Sequence, residues 1–110
     1  MRNQNFGIEI EMTGLTRCAA AKIIAGHFDS EAVHVGGGYD AYTIRDDQNR
    51  QWKIMSDASI HCRNRRNEAA GREYSVEFVS PICRYEDIET IQEIVRKLRA
   101  GGAKVNDSCG

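Results

Sequence analysis

Two glutamates near the start of this sequence, separated by a single residue, are candidates for binding a metal ion. Glu9 and Glu11 flank Ile10, and alternate residues of a strand point to the same face, about 6–7 Å apart. Like charges so placed repel each other, so the pair suits a bound cation, while a solvated polar face of a strand is the ordinary alternative. Glu77 repeats the pattern in an otherwise apolar segment. If these strands are neighbours, three carboxylates meet on one face, and their hard oxygen atoms suit Mg²⁺ or Mn²⁺.

A nucleotide is the natural companion of such an ion, because Mg²⁺ in proteins is usually shared with substrate phosphates. Lys53 and Arg45 lie in a predicted hairpin, where they could bind phosphate as a point charge and a planar fork. Asp57 follows a predicted strand, in a place that suits a metal or substrate contact. Each residue also has an ordinary structural interpretation as a solvated strand side chain or an Asx turn. The pattern alone leaves both interpretations open.

The elements that must position these residues are predicted from periodicity. Alternation of apolar and polar side chains, bounded by turn residues, predicts strands at residues 6–13, 39–45, 51–55, 73–79 and 103–105. Helical spacing predicts helices at residues 17–28 and 85–100. Residues 46–50 predict a polar hairpin loop, and residues 29–38, which end in three glycines, predict a flexible connection. This order favours an α+β domain with a mostly antiparallel sheet and both helices packed on one face.

Composition narrows the functional classes. The chain has 110 residues, with 41% hydrophobic and 28% charged, which is typical of one globular domain or part of one. A net charge of −1 argues against a nucleic-acid partner. Since neither a signal peptide nor a membrane span is predicted, we expect a cytoplasmic location and no membrane partner. The scattered cysteines are expected to be free thiols of undetermined role: Cys18, Cys62, Cys83 and Cys109.

Four segments together resemble a known family. They are FGIEIE at 6–11, WKIMSDASI at 52–60, VEFVSP at 76–81 and AKVNDSCG at 103–110. In this order they resemble the amidoligase family, which is similar in fold to glutamine synthetase and glutamate–cysteine ligase. The resemblance covers nearly the whole chain and implies a partial catalytic domain of that type.

The resemblance implies an ATP- and magnesium-dependent carboxylate–amine ligase, an enzyme that forms an amide through an acyl phosphate. Carried over by motif, Glu9, Glu11 and Glu77 look like metal ligands. Lys53 and Asp57 look like contacts to ATP or substrate. The acid and the amine are not identified: a peptide, a cell-wall component or another protein all fit.

The end of the sequence departs from the family pattern. In the family a strand with a His-x-His element follows the Cys-Gly turn, whereas this sequence stops at Gly110. Residues 1–110 are therefore expected to be the N-terminal portion of a single catalytic domain, truncated after Gly110, and its activity alone stays open. The unpaired sheet edge predicts self-association.

Two other functions remain alternatives. The first is a non-catalytic fold relic or protein-interaction module that uses the open sheet edge. The second is a metal-dependent hydrolase or nuclease that uses the same carboxylates. The near-neutral charge disfavours the nuclease.

Overall fold

The strands in the described part of the chain form one antiparallel sheet. The computed structural model describes residues 5–56 and 75–105. Six strands form the sheet: β1 (Glu9–Thr13), β2 (Ala32–Gly36), β3 (Ala41–Arg45), β4 (Gln51–Met55), β5 (Val76–Val79) and β6 (Lys104–Val105). Their order across the sheet is β2-β3-β4-β5-β1-β6, so β1 lies between β5 and β6.

Two α-helices pack on this sheet: α1 (Arg17–Phe28) and α2 (Ile88–Ala100), the second preceded by one 3-10 turn, Tyr85–Asp87. The Thr16 hydroxyl caps α1 by accepting a 3.1 Å hydrogen bond from the Ala19 amide, as N-cap side chains do. Asp29 ends α1 in the left-handed conformation, with φ 55°. The amphipathic face of α2 buries Ile91, Ile94 and Leu98. Of the helices in the described ranges, neither is long and apolar enough to cross a lipid bilayer.

The core lies between the helices and one face of the sheet. Trp52 on β4 is fully buried there, with its ring centroid 5.2 Å from that of Phe28 and 5.9 Å from that of Phe78. Met12 on β1 pairs with Val76 on β5, and both are fully buried. Successive side chains of a strand point to opposite faces. The strand residues that alternate with these buried ones therefore lie on the face of the sheet away from the helices. We call this the outer face.

The structure confirms the predicted α+β class and places both helices within the predicted segments. It also shows that the prediction of a flexible connection over residues 29–38 was wrong, because Ala32–Gly36 is the edge strand β2. This strand has a bulge between His34 and Gly36, and its middle residues are exposed. The short Val33-His34-Val35 alternation was a strand signal, but the three glycines that follow it were given more weight.

The turn between β1 and α1 requires a glycine at position 14. Gly14 has φ 98°, and a Cβ added there would lie 2.3 Å from the carbonyl oxygen of Gly102. We therefore expect Gly14→Ala to lower the free energy of unfolding by about 2 kcal/mol or more. Urea unfolding monitored by Trp52 fluorescence measures this. Gly26→Ala is the matched control: a Cβ there meets nothing within 4 Å, so a slight gain in stability is expected. Equal effects of the two substitutions would contradict the prediction.

Candidate functional site

Two of the three predicted carboxylates face each other across neighbouring strands. Glu11 on β1 is the register partner of Glu77 on β5. Side chains directly opposite each other share a face, with Cβ atoms about 4.5–5.5 Å apart. Glu9 lies on the same face one pleat along β1, opposite Val79. The fold therefore brings all three residues to one region of the outer face.

The carboxylates differ in burial. Glu9 is exposed, whereas Glu11 and Glu77 are half-buried, and both of these make further interactions. Within residues 5–56 and 75–105, no group of three or more His, Cys, Asp or Glu side chains is arranged to hold a metal ion. The strand register thus supplies oxygen donors of the type that Mg²⁺ prefers, but a three-ligand site is not preformed among these side chains.

A lysine lies on each side of the carboxylates. Lys53 on β4 pairs with Val79, which in turn pairs with Glu9, so Lys53 and Glu9 lie two strands apart, roughly 10 Å between Cα atoms. On the other side, Lys104 on β6 pairs with Thr13 of β1. Sequence reasoning missed Lys104, although its place in Ala103-Lys104-Val105 was a signal of an outward side chain. The outer face therefore carries an acidic strip between two cations.

Arg45, another predicted site residue, lies apart from this strip. Arg45, at the end of β3, pairs with Gln51 and donates two 3.1 Å hydrogen bonds from Nη1 to the side-chain and backbone oxygen atoms of Asn49. The structure thus does not bring Arg45 beside the carboxylates. Asp57 lies outside the described residues.

A buried ion network supports β4 from the core side. Arg50 donates from Nε to Asp46 and from both Nη atoms to the two oxygen atoms of Asp87, all at 2.9–3.0 Å. The Asp46 carboxylate also accepts a 2.9 Å hydrogen bond from the Trp52 indole nitrogen. Such a bidentate arginine pair is a strong, geometrically specific contact. It joins the β3–β4 turn to the start of α2.

This network was not predicted, because residues 46–50 were interpreted only as a polar hairpin loop. Burial by itself raises the pKa of Asp46, but hydrogen bonds from Trp52 and from the Arg50 and Gln48 amides outweigh it, so the pKa lies below its ordinary value. The Arg50 guanidinium lowers the pKa of Asp87 and has its own pKa raised by that contact. A buried Trp52 was the available signal, since a buried indole N–H needs an acceptor.

We expect acid to destabilise the fold below about pH 4. In the folded state both Asp46 and Asp87 have lowered pKa values, so they stay charged where the aspartates of the unfolded chain begin to bind protons. Their contribution is complete above the unfolded pKa and is lost as pH falls through the folded pKa. Chemical unfolding at a series of pH values measures this, and a free energy that stays constant down to about pH 2 would contradict it.

A second polar cluster fixes the chain just before β5. Arg17 donates from Nε to Asp40 at 2.8 Å and from Nη1 to the Ser75 carbonyl oxygen at 2.9 Å. His34 contacts the other Asp40 oxygen at 2.7 Å. Hydrogen bonds from Arg17 and then His34 lower the pKa of Asp40. Because Ser75 lies two residues before Glu77, this cluster helps to set the position of that carboxylate.

The described cysteines are free thiols, as predicted: Cys18 is exposed and Cys83 is buried. Burial raises the pKa of the Cys83 thiol, which favours the neutral form. The other two, Cys62 and Cys109, lie outside the described residues.

The fold and the outer face define an α+β protein in which carboxylates and lysines share one side of an antiparallel sheet. The family described as "Putative amidoligase enzyme" matches residues 2–110. The chain therefore belongs to the amidoligase family, as the four sequence segments indicated. No curated protein and no solved structure matches the chain.

Proposed function

We propose that this chain supplies the ATP- and magnesium-binding face of a carboxylate–amine ligase that forms an amide through an acyl phosphate. The observation that supports this most strongly is the direct opposition of Glu11 and Glu77 on neighbouring strands, with Glu9 one pleat away. Opposed glutamates repel each other, and a cation shared with a nucleotide would be a favourable partner for both carboxylates. Mg²⁺, or Mn²⁺ in its place, would neutralise phosphate charge between these residues. A cytoplasmic location, where ATP is available, belongs to the proposal.

The reaction has two steps. An oxygen atom of the substrate carboxylate attacks the γ-phosphorus of ATP, and ADP leaves with the electrons of the broken P–O bond. The nitrogen atom of the amine then attacks the acyl carbon, phosphate leaves and the nitrogen loses a proton. Both steps depend on charge neutralisation and alignment more than on a protein nucleophile. Lys53, in the row that contains Glu9, is placed to contact both the incoming carboxylate and the γ-phosphate that it attacks, since an ammonium group has three donors.

Calorimetric titration of ATP into the purified chain with excess Mg²⁺ tests the proposal. We expect saturable binding that disappears when EDTA removes the metal. Absence of binding with Mg²⁺ and with Mn²⁺ would refute the proposal. A hydroxylamine trap extends the test, since this amine converts an acyl phosphate to a detectable hydroxamate. Phosphate release without hydroxamate would instead indicate a hydrolase.

Lys53→Met should weaken the binding of Mg–ATP by roughly tenfold, because removal of one charge-assisted contact to phosphate costs on the order of 1.4 kcal/mol. Lys22→Met is the matched control, since Lys22 is an exposed lysine in α1, away from the outer face. The same calorimetric titration provides both dissociation constants. An equal loss of affinity in both variants would mean that the effect is one of net charge.

A further inference from the structure

The outer face ends in exposed apolar side chains on β2. Val33 and Val35 are 55% and 61% exposed, and they are two residues apart on the edge strand. Val33 pairs with Thr43 on β3, and Thr43 pairs with Lys53 on β4. Val33 therefore lies on the same face as Lys53 and in its row, and the exposed Val35 follows at the bulge of β2. Two strand spacings separate the Cα atoms of Val33 and Lys53, roughly 10 Å.

The chemical character of the outer face changes in order across the sheet. Acidic side chains occupy β1 and β5, a lysine occupies β4, the small polar Thr43 occupies β3, and valines occupy β2. A ligase would need to bind three groups in the same order: the nucleotide with its metal ion, the reacting carboxylate, and the remainder of the acid substrate. Lys53 complements the charge of a carboxylate, and Val33 and Val35 offer an apolar surface beyond it.

We propose that this surface binds the acid substrate as an extended peptide with a free C-terminal carboxylate and apolar side chains before it. Lys53 holds the carboxylate, and Val33 and Val35 contact the apolar side chains. A span of roughly 10 Å corresponds to about three residues of extended chain, which is more than a single free amino acid covers. The proposal rests on the proposed function, because it takes that acidic strip as the nucleotide site.

Titration of short peptides into the ¹⁵N-labelled chain, followed by amide chemical shifts, tests this proposal. The probe is acetyl-Leu-Leu-Gly. One matched peptide, acetyl-Ser-Ser-Gly, lacks the apolar groups, and the other, acetyl-Leu-Leu-Gly amide, lacks the carboxylate. We expect the probe to bind roughly tenfold or more tightly than either matched peptide, with shifts centred on β2 and β4. One apolar contact or one charge contact of ordinary strength gives that ratio.

Variants assign each part of the selectivity. Val33→Thr with Val35→Thr should abolish the preference for leucine over serine, and threonine is well tolerated in an exposed strand. Lys53→Met should abolish the preference for the free carboxylate. Ile82→Thr is the control, since Ile82 is 65% exposed but lies after β5, outside the sheet. Its binding should equal that of the unmodified chain.

Several results would overturn the proposal. These are equal affinities for the three peptides, a leucine preference that survives in the Val33→Thr, Val35→Thr variant, or no binding at all. Shifts at β2 that depend on protein concentration without peptide would assign the valines to self-association instead. The Mg–ATP titration distinguishes a failure of the proposed ligase function from a failure of the proposed peptide site. Peptide selectivity without ATP binding would refute the ligase alone, and ATP binding without peptide selectivity would refute the peptide site alone.

Discussion

Replacement of Arg50 by methionine should lower the free energy of unfolding by about 3–5 kcal/mol, the usual cost of removing one partner from a buried ion network. The substitution keeps much of the side-chain volume but leaves Asp46 and Asp87 without their shared cation. The Asp46 side chain is fully buried, and that of Asp87 is 11% exposed. Uncompensated carboxylates in such surroundings are unfavourable. Urea unfolding near neutral pH measures the loss.

Two comparisons separate this network from a general effect of lost charge. Arg45→Met removes an exposed arginine from the same hairpin and should change stability by less than about 0.5 kcal/mol. The deficit of Arg50→Met should shrink in acid, because protonated Asp46 and Asp87 no longer need a cation. A loss below about 1 kcal/mol near neutral pH would show that the network contributes little.

The fold was largely predictable where local pattern and burial agree. The helix over Arg17–Phe28 has a capping residue at Thr16 and a buried face, and α2 has a strong apolar stripe, so each carries its own signal. Strand β2 carries only the short alternation of Val33, His34 and Val35, and it pairs with β3 alone. That contact is non-local information, which propensity and periodicity do not contain.

The face on which the carboxylates lie was predictable from local alternation, whereas the Arg50–Asp46–Asp87 network was not predictable from local pattern. Alternation in β1 and β5 fixes the face on which Glu9, Glu11 and Glu77 lie. The direct opposition of Glu11 and Glu77 depends on the strand register, which alternation does not specify. The network joins Arg50 to Asp87, 37 residues apart, and a polar turn in sequence resembles a solvated loop until the partner is known. Lys104 depends likewise on β6 pairing with β1.

The network and the outer face share one strand. Trp52 and Lys53 are neighbours on β4, and their side chains point to opposite faces. Trp52 is held from within by the Asp46 carboxylate and by aromatic contacts with Phe28 and Phe78. The position of Lys53 therefore depends on a core that sequence reasoning foresaw only in part. Substitutions in the network should alter the site indirectly, through the placement of β4.

Removal of the two opposed carboxylates should have the largest effect on ligand binding. We expect Glu77→Gln to weaken the binding of Mn²⁺, in the presence of ATP, by roughly 100-fold, because a neutral amide is a poor substitute for a carboxylate ligand. Glu11→Gln should have a similar effect. Glutamine keeps the size of the side chain, so packing between β1 and β5 is preserved. Electron paramagnetic resonance of free Mn²⁺ measures the dissociation constants directly.

The double variant decides whether both residues act on one ion. If Glu11 and Glu77 bind the same cation, loss of either already disables the site, so the second substitution adds much less than the first. If each is a solvated side chain that attracts cations only through general charge, the two effects are small and additive. Thr13→Val changes the same face beside Lys104 without altering charge and should leave Mn²⁺ binding intact. Additive losses of affinity of less than about threefold each correspond to about 0.6 kcal/mol, the scale of screened surface charges. That result would show that Glu11 and Glu77 do not bind a shared cation, and it would contradict the assignment of the acidic strip as the nucleotide site.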